Sequence, residues 1–314
     1  MISVEYLAGF ADGEGYLGLA RIPRRNGSPE YCLRVSLYNN NRAILDEIQQ
    51  TVGGTMSVLG QRQPGWKPSY ALIWTNAAAA RLIRMMEPFL IVKARQGSTL
   101  LSFDQRIRAG RRSRDRNGRL LPLTGWEVRI RDGFYRTLKR LNRRGPLGQS
   151  RRPAQNPSKK QSRISAEYVA GFIDGEGSLM ITKAKPADCR TPQYHPRISV
   201  ANTERGVLEA IQHTYGGIIT DQPARKPAWK DAYHLVWTDG MIEPLLSSVA
   251  AHLRVKSKQA HILDDFICHR KATKQGRRGP AFLPLPPKVV AFRESLRKEI
   301  KELNRRGSPR LAPQ

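Results

Sequence analysis

The sequence predicts an α+β protein built from two copies of one α-β-β-α-β-β-α unit, each wrapped around a four-stranded antiparallel sheet. Three observations predict it. Residues 4–21 (VEYLAGFADGEGYLGLAR) recur at 166–183 (AEYVAGFIDGEGSLMITK), an offset of 162, and the match continues at 163 from residues 31–48 to residues 194–211. Within each copy, stretches that alternate with a period of two stand between stretches with a helical period. Both copies end on LNRRG, at 141–145 and 303–307, so the duplication takes up nearly the whole chain.

Each element has its own reason. A helix is expected over about 3–13, with Ser3 as its N-cap. A strand follows over about 16–22. The next, about 32–38, sets Leu33, Val35 and Leu37 against Arg34, Ser36 and Tyr38, one face for a core and one for a polar surface. Residues 41–52 place Ile44, Leu45, Ile48 and Val52 on a helical stripe. Strands at about 55–60 and 69–75 are joined by a loop with Pro64, Gly65, Trp66, Lys67 and Pro68, and helices follow at about 77–87, 93–109 and 127–143. The domains are expected at 1–145 and 163–314. Residues 146–162 (PLGQSRRPAQNPSKKQS) have no apolar period and read as a linker, spanning roughly 20–25 Å as a coil.

Composition narrows the partner. The 314 residues carry a formal charge of +28, which opposes compaction and calls for a polyanion. Nucleic acid comes first, because neutralising phosphates releases counterions. The N-terminal residues MISVEYLAGFADGEG include Glu5, Asp12 and Glu14, unlike a signal peptide or a membrane span, so no membrane association is expected. Cys32, Cys189 and Cys268 form no C-x-x-C. This excludes a disulfide framework and a zinc ribbon, and points to a reducing intracellular compartment. His261 and His269 lack the close helical spacing of a metal pair.

The duplicated helix carries the chemistry. Glycine inside a helix costs about 0.5–1 kcal/mol against alanine, yet Gly9 and Gly13 stand four apart, repeated as Gly171 and Gly175. Small residues at that spacing let two helices approach closely, so the two helices are expected to pack together and bring Glu14 and Glu176 to one place. Each acid is followed by a glycine able to terminate the helix. A carboxylate at the negative end of a helix dipole is disfavoured, and two such groups repel. Divalent cations remove both penalties and, held by carboxylates, can drive phosphodiester cleavage.

At these residues the sequence resembles the LAGLIDADG homing endonucleases, the motif standing as Leu7-Ala8-Gly9-Phe10-Ala11-Asp12-Gly13-Glu14-Gly15 and Val169-Ala170-Gly171-Phe172-Ile173-Asp174-Gly175-Glu176-Gly177. The resemblance implies a monomer of two pseudo-symmetric halves joined through the motif helices, their sheets forming a saddle on double-stranded DNA. It places Mg²⁺ at Glu14 and Glu176, with Gly13 and Gly175 beside them; Mn²⁺ or Ca²⁺ can occupy the same sites. Many members carry Asp at the eighth motif position, where this chain has Glu. Asp12 and Asp174 look structural, satisfying backbone groups near the helix end. Lys93 and Lys256, in segments similar to the family's Pro-Phe-Leu stretch, are the basic residues expected near the cleavage centre. Asn39 and Asn202 fall where a polar residue orders solvent, with a turn or cap role as the alternative.

The DNA-binding candidates, for bases or for phosphates, are the outward strand positions Arg34, Ser36, Tyr38, Arg197 and Ser199, and the strand-end residues Arg21, Arg24, Arg25, Arg62, Trp66, Lys67, Lys183, Lys185, Arg225, Lys226 and Lys230. The basic runs 110–119 and 273–279 read as backbone clamps. Because the halves differ at these positions, the target is expected to be asymmetric. The function implied is a staggered double-strand break by an intron-encoded enzyme, since no intein-like splicing block is visible. The alternative is an RNA maturase acting on its host intron.

Overall fold

A computed structural model of the protein describes residues 1–24, 27–60, 66–110, 115–117, 121–143, 163–185, 191–224, 226, 229–273 and 284–305. The expected linker 146–162 lies outside them. The described residues fall into two compact units, one built on the first repeat and one on the second.

In the first repeat, α1 (Val4–Glu14) leads into β1 (Gly15–Ile22) and β2 (Glu30–Asn39), then α2 (Arg42–Val52), β3 (Thr55–Val58), β4 (Tyr70–Thr75), α3 (Asn76–Met86), α4 (Ala94–Ala109) and α5 (Gly125–Leu141). The sheet order is β1-β2-β4-β3, antiparallel throughout. The expected elements are all present, and α4 and α5 are two helices beyond the seven-element pattern. Ser3 caps α1 as expected, its Oγ accepting from the Tyr6 N–H at 3.1 Å.

The second repeat runs α6 (Ala166–Glu176), β5 (Gly177–Ala184), β6 (Gln193–Asn202), α7 (Arg205–Tyr215), β7 (Ile218–Gln222), β8 (Ala232–Thr238), α8 (Ile242–Val249), α9 (Ser257–Ala272) and α10 (Pro287–Leu303). Its sheet order, β5-β6-β8-β7, is the same. The counterpart of α3 is broken here. Single turns of 3₁₀ helix at Asp239–Met241 and Ala250–His252 flank a short α8. Pro244 has no N–H to give the carbonyl four residues back and its ring crowds that carbonyl, so the α-helix does not extend back through Gly240.

Each core lies between one face of a sheet and the helices on it. Leu33, Val35 and Leu37 are buried, as are Ile198 and Val200, confirming the period-two reading of these strands. The largest buried side chains are Trp74 and Trp237, whose indole N–H groups donate to the carbonyls of Val52 at 3.2 Å and Tyr215 at 3.0 Å. The glycine pairs explain themselves against these rings. Gly54 and Gly217 have φ of 110° and 98°, and a Cβ on either would come within 2.8 Å of a core side chain. Asn76 and Asp239, at equivalent positions, share the left-handed region at φ 46° and 48°, which short polar residues tolerate better than others.

Candidate metal and nucleic-acid site

The site begins with a buried acid. Asp12 is 1% exposed. Its Oδ2 accepts from the N–H groups of Ile91 at 2.7 Å and Val92 at 3.0 Å, and its Oδ1 from that of Lys93 at 2.8 Å. These N–H groups lead into α4, where no turn of helix precedes them to supply acceptors. A carboxylate taking three of them makes strong charge-assisted bonds. Asp174 does the same for Arg254 at 2.7 Å, Val255 at 3.0 Å and Lys256 at 2.9 Å. The sequence marked both acids as structural; the groups they serve sit some eighty residues away in the chain.

The clamp fixes the lysines. With its backbone held on Asp12, Lys93 turns its Nζ onto the Asp12 carbonyl, one of the last carbonyls of α1, and Lys256 does the same at Asp174. An ammonium at a helix C-terminus offsets the negative end of the dipole. The Lys93 ammonium thus lies at the carbonyl two residues before Glu14 in α1, and that of Lys256 at the carbonyl two residues before Glu176 in α6.

Glu14 and Glu176 are the last residues of α1 and α6, Glu14 half-buried and Glu176 exposed. The following glycine does end the helix, as expected. Gly15 and Gly177 are extended, at φ −83° and −77°. Their N–H groups bond the carbonyls of Ala11 and Ile173, and a Cβ would lie 2.4 Å and 2.5 Å from those oxygens. The requirement is closeness, not a special φ, and it turns each helix directly into its strand. A glutamate beside the carbonyls of Gly13 or Gly175 forms an all-oxygen donor set, which fits a hard divalent cation. Among the described residues no cluster of three or more His, Cys, Asp or Glu offers another.

The amides take the turn role. Asn39 Oδ1 accepts from the Asn41 N–H at 2.8 Å, and Asn202 Oδ1 from the Glu204 N–H at 2.8 Å.

Strand register corrects three groove candidates. Arg21 pairs with Tyr31 across β1 and β2, which puts it on the helix-facing side. There its Nε donates to Asp132 of α5 at 2.9 Å, alongside the Tyr31 hydroxyl at 2.7 Å. Lys183 pairs with Tyr194 and meets Glu294 of α10 at 2.9 Å, where the Tyr194 hydroxyl donates at 2.6 Å. Both cations tie sheet to helix. The Tyr31 hydroxyl and then the Arg21 guanidinium hold Asp132 below the usual carboxylate range; Tyr194 and then Lys183 hold Glu294 down at about 2. The third is Ser36, on the outer face but fully buried, its Oγ accepting from Arg34 Nε at 3.1 Å. It orients the arginine and has no surface to offer a base.

Arg34, Tyr38, Arg197 and Ser199 keep partly exposed side chains on the outer face. Arg24 is paired with Glu30. Trp66, Lys67 and Lys185 are exposed and Lys230 half-buried, while Lys226 lies over the exposed Trp229 ring, 5.5 Å from its centroid. Arg25, Arg62 and Arg225, and most of the two basic runs, lie outside the described residues. The same register adds outer-face residues that the sequence reading missed: Tyr16, Thr75, Met180, Thr182, His195 and Thr238. Their signal was parity, legible only once the strands' pairing is known.

Two pseudo-symmetric repeats in one chain, each with an antiparallel four-stranded sheet backed by helices, define a duplicated α+β class. More narrowly, the fold is that of the LAGLIDADG homing endonucleases in their single-chain, two-motif form. It is similar to the meganuclease I-AabMI bound to uncleaved DNA, with 17% identity and a TM-score of 0.66 over 95% of this chain and 98% of that one. For I-SmaMI bound to cleaved DNA the values are 13% and 0.67, over 97% and 99%. For I-LtrWI bound to target DNA they are 13% and 0.60, over 95% and 96%. I-SmaMI has also been solved with uncleaved DNA in the presence of calcium ions. No family model and no curated protein sequence matches the chain.

Proposed function

We propose that the chain is a divalent-metal-dependent DNA endonuclease that makes a staggered double-strand break in a long, asymmetric target. The observation that carries this reading is the duplicated corner: a glutamate ending a helix, a lysine whose backbone is clamped by a buried aspartate and whose ammonium meets the carbonyl two residues before that glutamate, and a sheet whose outer face carries arginine. DNA-bound proteins of the same fold support it.

Glu14 and Glu176, with the carbonyls of Gly13 and Gly175, would hold Mg²⁺, and Mn²⁺ or Ca²⁺ would compete for the same oxygens. A bound cation supplies an activated water and relief of charge on the leaving oxygen. The chain's own part is to orient and to neutralise. Lys93 and Lys256, anchored at fixed helix ends, set positive charge beside the scissile phosphate. Arg34 and Arg197 offer forked donors to guanine edges, and the +28 charge draws the duplex in.

One carboxylate per repeat suits one strand each. The protein acts as a monomer with domains at 1–145 and 163–314, encoded within an intron. The proteins of similar fold are bound to DNA and lend the RNA alternative no support.

The test is a randomised duplex library incubated with Mg²⁺, its cut products sequenced, followed by cleavage of the selected site. Glu14→Gln and Glu176→Gln should each abolish double-strand cleavage while leaving binding within a few-fold. An unchanged cutting rate in either would overturn the assignment.

A further inference from the structure

In the first repeat, α4 and α5 face each other across Glu127. Its Oε2 accepts from Arg106 Nη2 at 2.8 Å and its Oε1 from Arg131 Nε at 2.9 Å. The chain's internal offset carries Arg131 to Arg293, Arg106 to His269 and Glu127 to Val289. The second repeat therefore keeps nitrogen donors at both positions and lacks the carboxylate.

The consequence is visible in the side chains. Arg293 is 1% exposed. Its Nη2 donates to Thr273 Oγ1 at 2.9 Å, and its guanidinium lies over Phe266, 5.9 Å from the ring centroid. Its Nε, the atom that in Arg131 donates to Glu127, has no acceptor among the described residues. Nor does the buried Nδ1 of His269, whose ring sits 4.5 Å from that of Phe292. The neighbouring charge is of the wrong sign. Burial, and then Arg270, disfavour the charged form of Arg293, and Arg270 is itself taken by Asp239. A buried cation without a counter-ion is costly, and an orphaned N–H adds to the cost.

We propose that the second repeat binds a small planar oxyanion of the carboxylate class between α9 and α10, held by Arg293 Nε and His269 Nδ1 as Glu127 is held in the first repeat. Two oxygens in one plane reproduce the Glu127 arrangement, with one accepting from each donor. The imidazole serves in the form that carries its proton on Nδ1. Both nitrogens are closed to solvent, so the anion enters by displacing side chains around Val289, which lacks the carboxyl group of its counterpart. The site does not depend on the endonuclease reading.

Thermal unfolding of the full chain tests it, with sodium formate exchanged for sodium chloride at constant ionic strength. Formate should raise Tm saturably, by roughly 5–10 °C at a hundredfold excess over Kd. A chain of charge +28 gains from any anion by screening, so the variants decide. Val289→Glu supplies the missing carboxylate and should abolish the formate response. Arg293→Met removes the donor and should abolish it too, which covers the case of a Val289→Glu chain that does not fold. Glu127→Val should enlarge the response by opening a second such site in the first repeat. A wild-type chain indifferent to formate against chloride, or a response retained in Val289→Glu or in Arg293→Met, overturns the proposal.

Discussion

In the first repeat Asp12 gathers three backbone N–H groups at 2.7, 3.0 and 2.8 Å; in the second Asp174 gathers their equivalents at 2.7, 3.0 and 2.9 Å. Asn142 and Asn304 match as closely, their amides donating to the carbonyls of Leu17 at 2.8 Å and Leu179 at 2.7 Å. Away from these corners the repeats part. The first holds α3, α4 and α5 with charge, through Arg84 and Arg108 on Asp104 and through Arg106 and Arg131 on Glu127. The second has Ile267 and Val289 where those acids stand and ties α9 instead to α8 and the turn before it, through Lys271 on Glu243 and Arg270 on Asp239. The duplicated unit has kept the contacts that aim the strand–helix corner and exchanged the means by which its outer helices cohere.

That comparison breaks most sharply at the clamp. Asp12→Asn and Asp174→Asn each turn an amide NH₂ or a weaker oxygen toward three backbone donors in a dry setting. Each should lose about 2–4 kcal/mol of stability, measured by urea unfolding, and the two losses should agree. A large loss in one repeat with none in the other would show that the matching geometry does not carry matching energy.

A smaller difference lies in the sheet–helix ties. Glu294 is held at about 2 by the Tyr194 hydroxyl and the Lys183 ammonium; Asp132 is shifted the same way, by Tyr31 and Arg21. A folded-state pKa below the unfolded one contributes stability that is complete above the unfolded value, 4.5 for this glutamate. The contribution is lost as pH falls from there through about 2. Glu294→Gln should therefore lower Tm at neutral pH, and the gap to the wild type should close between pH 4.5 and 2. Asp132→Asn should trace the same sign with less amplitude. A gap for Glu294→Gln that stays constant down to pH 2 would remove the ion pair from the account.

What the sequence disclosed depends on the range over which each signal acts. The repeat, the strand periods and the helix stripes are local or self-comparing, and the observed element bounds lie within a residue or two of those expected. Asp12 and Glu14 stood out because a duplicated motif carried them. Arg21 and Lys183 were misplaced because they were read as strand-end residues although they lie within β1 and β5, where parity, not proximity to a loop, sets the face of each side chain. Ser36 failed for a similar reason. Alternation gives the face of a residue and not what its neighbours lay over it. The extended Gly15 and Gly177 were legible as helix ends, but the oxygen that forbids a Cβ there emerges only from the folded corner.

The least of the expected effects lies at that serine. Arg34 has its Nε fixed by Ser36 Oγ under a fully buried side chain, whereas Ser199, beside Arg197, remains half-buried. If the outer face reads bases, the first repeat presents an arginine already oriented and the second one less so. Orienting a side chain before binding spares rotamer entropy at the moment of contact. A neutral hydrogen bond of this kind contributes about 0.5–1.5 kcal/mol, so Ser36→Ala should weaken binding to the selected duplex about two- to tenfold. Ser199→Ala should change it less. Competition binding against duplexes altered in one half-site shows which arginine is involved, because the loss in Ser36→Ala should be confined to the half read by the first repeat. Equal losses from the two serine variants would mean that neither hydroxyl sets its arginine.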